Sequence, residues 1–183
     1  MAHVTDVQST PNPDARKFVV SSRLVEAGTY TYATAAAADD SPLASDLFDI
    51  DGVDNVMIAS DFITVRKLPS ATWGLLEHQV THQLSVFLGS YKMAVTVETA
   101  THGVEPTTDV ERAIVAILDE DIRPAVASDG GEVTFMGFAD GIVKLKMSGA
   151  CGECPSSTAT LKGGIERLLC EEIPEVREVE QVF

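Results

Sequence analysis

The chain has 183 residues, 45% hydrophobic and 22% charged, which is enough apolar material for one or two packed domains and excludes a disordered chain. Thirteen Lys and Arg stand against 28 Asp and Glu, a formal net charge of −15 spread over both halves, and such a field repels nucleic-acid phosphates and anionic membranes. Three cysteines, an odd number with two of them in a tight pair, exclude a disulfide framework and point to a reducing compartment.

The N-terminus, MAHVTDVQST, has neither a basic region followed by an apolar core nor an Arg-rich amphipathic pattern, so a cytoplasmic location is expected. No apolar run approaches the ~18 residues of a membrane helix, and no membrane or nucleic-acid partner is expected.

In chain order, STPNPDARK places prolines on both sides of Asn12 and predicts an extended or turn conformation. KFVVSS (17–22) reads as a strand, and GTYTYATA (28–35) as its neighbour across the turn EAG. Ser41 is a candidate N-cap and Pro42 the first residue of a short helix carrying Leu43, Leu47 and Ile50. Residues 53–67 predict a hairpin, with β-branched NVMIA and FITVRK around Ser60–Asp61. Over 70–89, Trp73, Leu76, Val80, Leu84 and Phe87 or Leu88 recur at helical spacing.

After Tyr91 the periodicity fades into a polar stretch with a proline, read as a linker over 99–107. Thr108 or Asp109 then caps a helix with Val110, Ile114, Ile117 or Leu118, and Ile122 on one face; Pro124 kinks it or is absorbed near its end. EVTFMGF and GIVKLKM are strands around the turn ADG, a helix runs from Ser156 to about Cys170, and EVREVEQVF is a final alternating strand. The fold class expected is α+β in two small domains: residues 1–98 as β-β-α-β-β-α and residues 108–183 as α-β-β-α-β.

The stretch GACGECPSSTATLKGGIERLL (149–169) carries the chemistry. Cys151 and Cys154 are two residues apart, and Pro155 opens the following helix. A helix N-terminus with free N–H groups favours thiolate over thiol, and the thiolate is the form that binds metal or attacks sulfur. Gly149 and Gly152 remove side chains where a ligand would approach, and Ser156 and Ser157 add hydroxyls or simply cap the helix. Gly163 and Gly164, inside the helix, imply close packing against the sheet or a partner chain, and Lys162 with Glu166 has the spacing of a surface ion pair.

Two thiolates complete neither a tetrahedral zinc site nor a cubane cluster, each of which takes four protein ligands. Cys170 stands roughly 20 Å away at ~1.5 Å rise per residue, and is read as a small buried apolar side chain. His78 and His82, spaced i, i+4 on a helix, lack a third ligand and read as a solvated face. One chain therefore holds half a site, and two chains meeting loop to loop would supply four thiolates. A redox dithiol and a zinc-bridged dimer use the same pair and remain alternatives.

Cys151, Cys154, Pro155, Ser156, Ser157, Thr160, Leu161, Lys162, Gly164, Ile165 and Glu166 fill a pattern that resembles the signature of the NifU-like (Nfu) iron–sulfur scaffold family. VASDGGEVTF upstream is similar to the same domain. TPNPDARKF, SPLASDLFDIDGVDNV and DFITVRK followed by Trp73 resemble the family's N-terminal domain, so the resemblance covers nearly the whole chain. It implies a non-enzymatic carrier that holds an iron–sulfur cluster, 4Fe-4S or else 2Fe-2S, between two protomers on Cys151 and Cys154. It also implies a homodimer, client apo iron–sulfur proteins that receive the cluster, and upstream assembly factors. A thiol–disulfide oxidoreductase is the alternative. The N-terminal domain contains no cysteine, which leaves partner docking as its expected role.

Overall fold

The computed structural model describes residues 2–26, 28–90, 94–95, 103–152 and 155–182, with the backbone alone over 155–161. The chain divides into two compact units, Met1–Thr101 and His102–Phe183.

The first unit is a five-stranded antiparallel sheet covered by helices. Its strands are β1 (Val4–Ser9), β2 (Ala15–Val20), β3 (Tyr30–Tyr32), β4 (Val53–Ile58) and β5 (Phe62–Lys67), in spatial order β1-β2-β5-β4-β3. Helix α1 (Pro42–Phe48) begins as expected: Ser41 is its N-cap, accepting from the N–H of Ala44, and its own hydroxyl donates to the carbonyl of Ala94. Helix α2 (Trp73–Gly89) buries Leu76, Val80, Leu84 and Phe87, the stripe that the periodicity marked. With Leu43, Ala44 and Leu47 of α1 they pack on Phe18, Val56, Ile58, Ile63 and Val65 of the sheet.

Two details differ from the sequence reading. Residues 4–9 form a strand that the reading lacked, so the unit's order is β-β-β-α-β-β-α. GTYTYATA contributes only β3, which pairs with β4 (Tyr30 opposite Ile58) and not with β2. The pieces around the double proline are tied to α2. The N–H of Asp14 donates to Asn12 Oδ1, Trp73 Nε1 donates to the carbonyl of Pro13, and Lys67 Nζ pairs with Asp14. The Arg16 guanidinium lies 5.6 Å from the Trp73 ring centroid.

The second unit opens on α3 (Asp109–Ile117). Thr108 and Glu111 form a reciprocal capping box, and Glu111 Oε2 also accepts from the N–H and hydroxyl of Thr107. These bonds, the Thr108 N–H first, lower the Glu111 pKa to about 2. Pro124 is absorbed without a sharp break. A widened turn, Leu118–Ile122, in which the Arg123 N–H reaches the carbonyl of Leu118, leads into α4 (Arg123–Ser128). Such a turn relieves the clash between a proline ring and the carbonyl four residues back.

β6 (Gly131–Ala139) and β7 (Ile142–Gly149) form an antiparallel hairpin. Its two-residue turn has φ of 52° at Asp140 and 79° at Gly141, as a type I′ turn requires. α5 (Pro155–Glu172) then carries the chain to β8 (Glu178–Val182), which lies parallel to β7 and completes a three-stranded sheet, β6-β7-β8. Ile114, Leu118, Val133, Phe135, Val143, Leu145, Ile165, Leu169 and Val179 form its core.

The box gives a pH-dependent stability with a definite sign. Glu111 titrates lower in the folded chain than its ordinary 4.5. Its contribution is therefore complete above about 4.5 and is lost as the pH falls through about 2. Glu111→Ala should speed amide hydrogen exchange across α3 at neutral pH, and its difference from the unsubstituted chain should shrink as the pH falls toward and through about 2.

Candidate functional site

The cysteine loop begins where β7 stops. Gly149 has φ of 67°, a left-handed conformation that turns the chain out of the strand and that other residues adopt at a cost of about 1–2 kcal/mol. Beyond it, the N–H of Ala150 donates to the carbonyl of Gly130 (3.1 Å), and the N–H of Gly152 to that of Gly149 (3.2 Å). Gln181 of β8 donates from Nε2 to the carbonyl of Gly152 (3.3 Å). The turn is thus bonded to the strand start before β6 and to β8. Gly152 sits close against the strand it follows: a Cβ there would stand 3.2 Å from the carbonyl oxygen of Met147, a tight approach.

Cys151 is 4% exposed and forms part of the core of the second unit. Its side chain lies over Gly131, where a Cβ would stand 2.6 Å from its Sγ, and it shares the core with Val126. Cys154 lies outside the described residues, as do the side chains of Ser156, Ser157, Thr160 and Leu161. Pro155 is the first residue of α5. The structure therefore places one of the two predicted ligands, and places it inward.

Charges stand behind the loop. Arg123 pairs with Asp119, donates from Nε to the carbonyl of Val133 (3.1 Å), and lies 3.5 Å from Glu132 Oε1. Burial pushes the Glu132 pKa up, and the Arg123 charge partly offsets that. These contacts fix α4 against the start of β6 and so fix Gly131. Sequence reasoning missed Gly131, Arg123 and Gln181 as supports of the loop, since only the fold brings them to it.

Glu166 Oε2 accepts from the N–H of Val179 (2.9 Å), pinning α5 to β8. Gly163 and Gly164 are exposed, and a Cβ at either would meet nothing within 4 Å, so the close packing expected at that pair is not within this unit. Cys170 is half-buried against the core. His78 and His82 face solvent on α2 and, with Ile50, Gln79 and Gln83, line a groove of about 380 Å³. Among the described residues no group of three or more His, Cys, Asp or Glu is placed to hold a metal ion. Among them, too, no helix is long and apolar enough to cross a membrane.

Comparison with known proteins favours one of the readings that the sequence left open. Residues 114–180 match the NifU-like domain, and residues 4–91 match the N-terminal domain of the scaffold protein Nfu/NifU. A human protein named NFU1 iron-sulfur cluster scaffold homolog, mitochondrial, is 45% identical over 179 residues, which are 96% of this chain and 70% of that protein.

The chain belongs to the Nfu family.

A Drosophila virilis relative of the same name is 42% identical over 186 residues. The chain spans about 60% of that relative's length. A solution structure of a NifU-like protein from Saccharomyces cerevisiae is 23% identical, with a TM-score of 0.46 over 51% of this chain and 84% of that one. That likeness is too loose to bear on function. One expectation falls. The Nfu relatives are named mitochondrial, which overturns the cytoplasmic location expected from the first residues. That expectation rested on the lack of a leader pattern, and a chain that spans only part of its relatives carries no information there.

Gly149 offers a test of the loop's backbone. Gly149→Ala should destabilise the second unit by about 1–2 kcal/mol, and Gly149→Asn by less, because asparagine tolerates the left-handed region better. Chemical denaturation followed by hydrogen exchange at β6 and β7 amides would read the difference.

Proposed function

We propose that this Nfu-family chain is an iron–sulfur cluster scaffold that holds its cluster on Cys151 and Cys154 and passes it to apo client proteins. The single observation that carries the reading is the match, over 96% of the chain, to relatives named as iron–sulfur cluster scaffolds. In this chain the one C-x-x-C pair falls within the NifU-like match. A cubane cluster takes four thiolates and one chain offers a pair, so a 4Fe-4S cluster would be bridged between two protomers. Supply of the cluster by upstream assembly factors and its delivery to clients follow from the scaffold role.

The chemistry asks little of the protein beyond ligands and access. Each protomer would hold the cluster by two thiolates at a loop on the edge of its sheet, so an incoming client thiolate can replace them one at a time. Exchange of thiolates at iron needs no catalytic acid or base, and the reading is that of a carrier. The first unit has no cysteine to offer a cluster, and its part would be to engage partners.

Anaerobic reconstitution with iron and sulfide tests the reading. The intact chain should gain broad absorbance near about 400 nm, where thiolate-to-iron charge transfer falls. Cys151→Ser and Cys154→Ser should each abolish it, since each removes two of four ligands from a symmetric dimer. Cys170→Ser should retain it. Loss of the cluster in a folded Cys170→Ser chain would overturn the ligand assignment.

A further inference from the structure

Cys151 has two demands on it that conflict. As a cluster ligand it must reach iron shared with a second chain. In the structure it is 4% exposed and packed into the core with Val126, Met147 and Ile165. What permits that packing is the residue beneath it. A Cβ on Gly131 would fall 2.6 Å from Cys151 Sγ, 3.0 Å from Cys151 Cβ and 3.1 Å from Val126 Cγ1. Real Cβ atoms do not approach that closely, so no residue but glycine leaves the side chain in place.

The backbone on both sides of the contact is held. Gly131 pairs with Gly149 at the end of the β6–β7 ladder, and the N–H of Ala150 donates to the carbonyl of Gly130. Arg123 anchors the same strand through the carbonyl of Val133. A Cβ at position 131 could therefore not be relieved by sliding the strand. The yielding part would be the cysteine side chain, which is carried by the short turn after β7.

We propose that Gly131 is a positioning residue that lets the chain seat the Cys151 thiol in the core, and that cluster uptake begins by drawing this thiol out. The proposal rests on the reading of Cys151 as a cluster ligand. The seat shields a thiol from alkylation and oxidation while no cluster is bound, because both reactions need the sulfur to be accessible. It also makes loading a two-part event, opening of the 149–152 turn and then capture by iron.

Residue-resolved alkylation of the cluster-free full chain by iodoacetamide reads the seat directly. Cys151 of the folded chain should react at least about tenfold more slowly than in the unfolded chain, as expected of a group exposed only by local opening. Gly131→Ala should raise the folded-state rate at Cys151 by about tenfold or more and leave the rate at Cys170 unchanged, a pattern that general loosening would not give. Should Gly131→Ala fail to fold, the unsubstituted chain still decides. Its Cys151 rate should level off as iodoacetamide is raised, because opening becomes limiting, whereas Cys170 should keep rising in proportion. A native Cys151 that reacts as fast as in the unfolded chain, or a folded Gly131→Ala chain with Cys151 still slow, would overturn the proposal. The two readings fail separately: loss of reconstitution counts against the cluster, and a fast native thiol counts against the seat.

Discussion

The space between the start of β6 and the turn after β7 admits one side chain, and Cys151 occupies it. Gly131 yields the room, Gly149 turns the chain at φ of 67° so that residue 151 points inward, and the Ala150–Gly130 bond closes the turn on the strand. Much of the surrounding structure serves that approach. Arg123 fixes the strand from the side of α4, and Gln181 reaches the turn from β8. Because β8 lies parallel to β7, its outer end arrives at the loop, and Glu166 holds α5 to β8 near its start. Few backbone contacts thus decide where one thiol lies, and the rest of the unit keeps them in register.

Charge acts on a longer scale. At −15, two copies of the chain repel one another before they touch, and only partly less so at physiological salt, where screening sets in over about 8 Å. Association through a shared ligand would then be conditional on the ligand. A ligand that binds the pair and not the single chain stabilises the pair by mass action. Under the proposed role, repulsion and a two-thiolate grip on each side would both favour release.

Much of the fold was legible because it is written in local patterns. The stripe Leu76, Val80, Leu84 and Phe87 has the helical period, Ser41–Pro42 and Thr108 carry cap chemistry, and Asp140–Gly141 is a type I′ turn by composition. What failed to show is what local patterns do not hold. β1 is a half-exposed edge strand, so VTDVQS lacks an apolar alternation. β3 pairs at a distance of some two dozen residues in sequence with β4, and adjacency in sequence favoured β2 instead. The parallel pairing of β8 was likewise unreadable, and β7–α5–β8 is a crossover of the kind a thioredoxin-like motif also uses. Membership of the Nfu family is what favours a scaffold over an oxidoreductase. At the site, spacing named the two thiols. It said nothing of their direction, and the burial of Cys151 under a glycine twenty residues upstream emerges only from the fold.

The account stands or falls on a cluster shared between two chains. Mass, iron and acid-labile sulfide measured on one anaerobically reconstituted sample test it most directly. The account predicts about four iron and four sulfide for each pair of chains, in a species that falls back to single chains when the cluster is removed. A loaded single chain carrying a whole cluster, with no outside thiol completing its ligands, would contradict it.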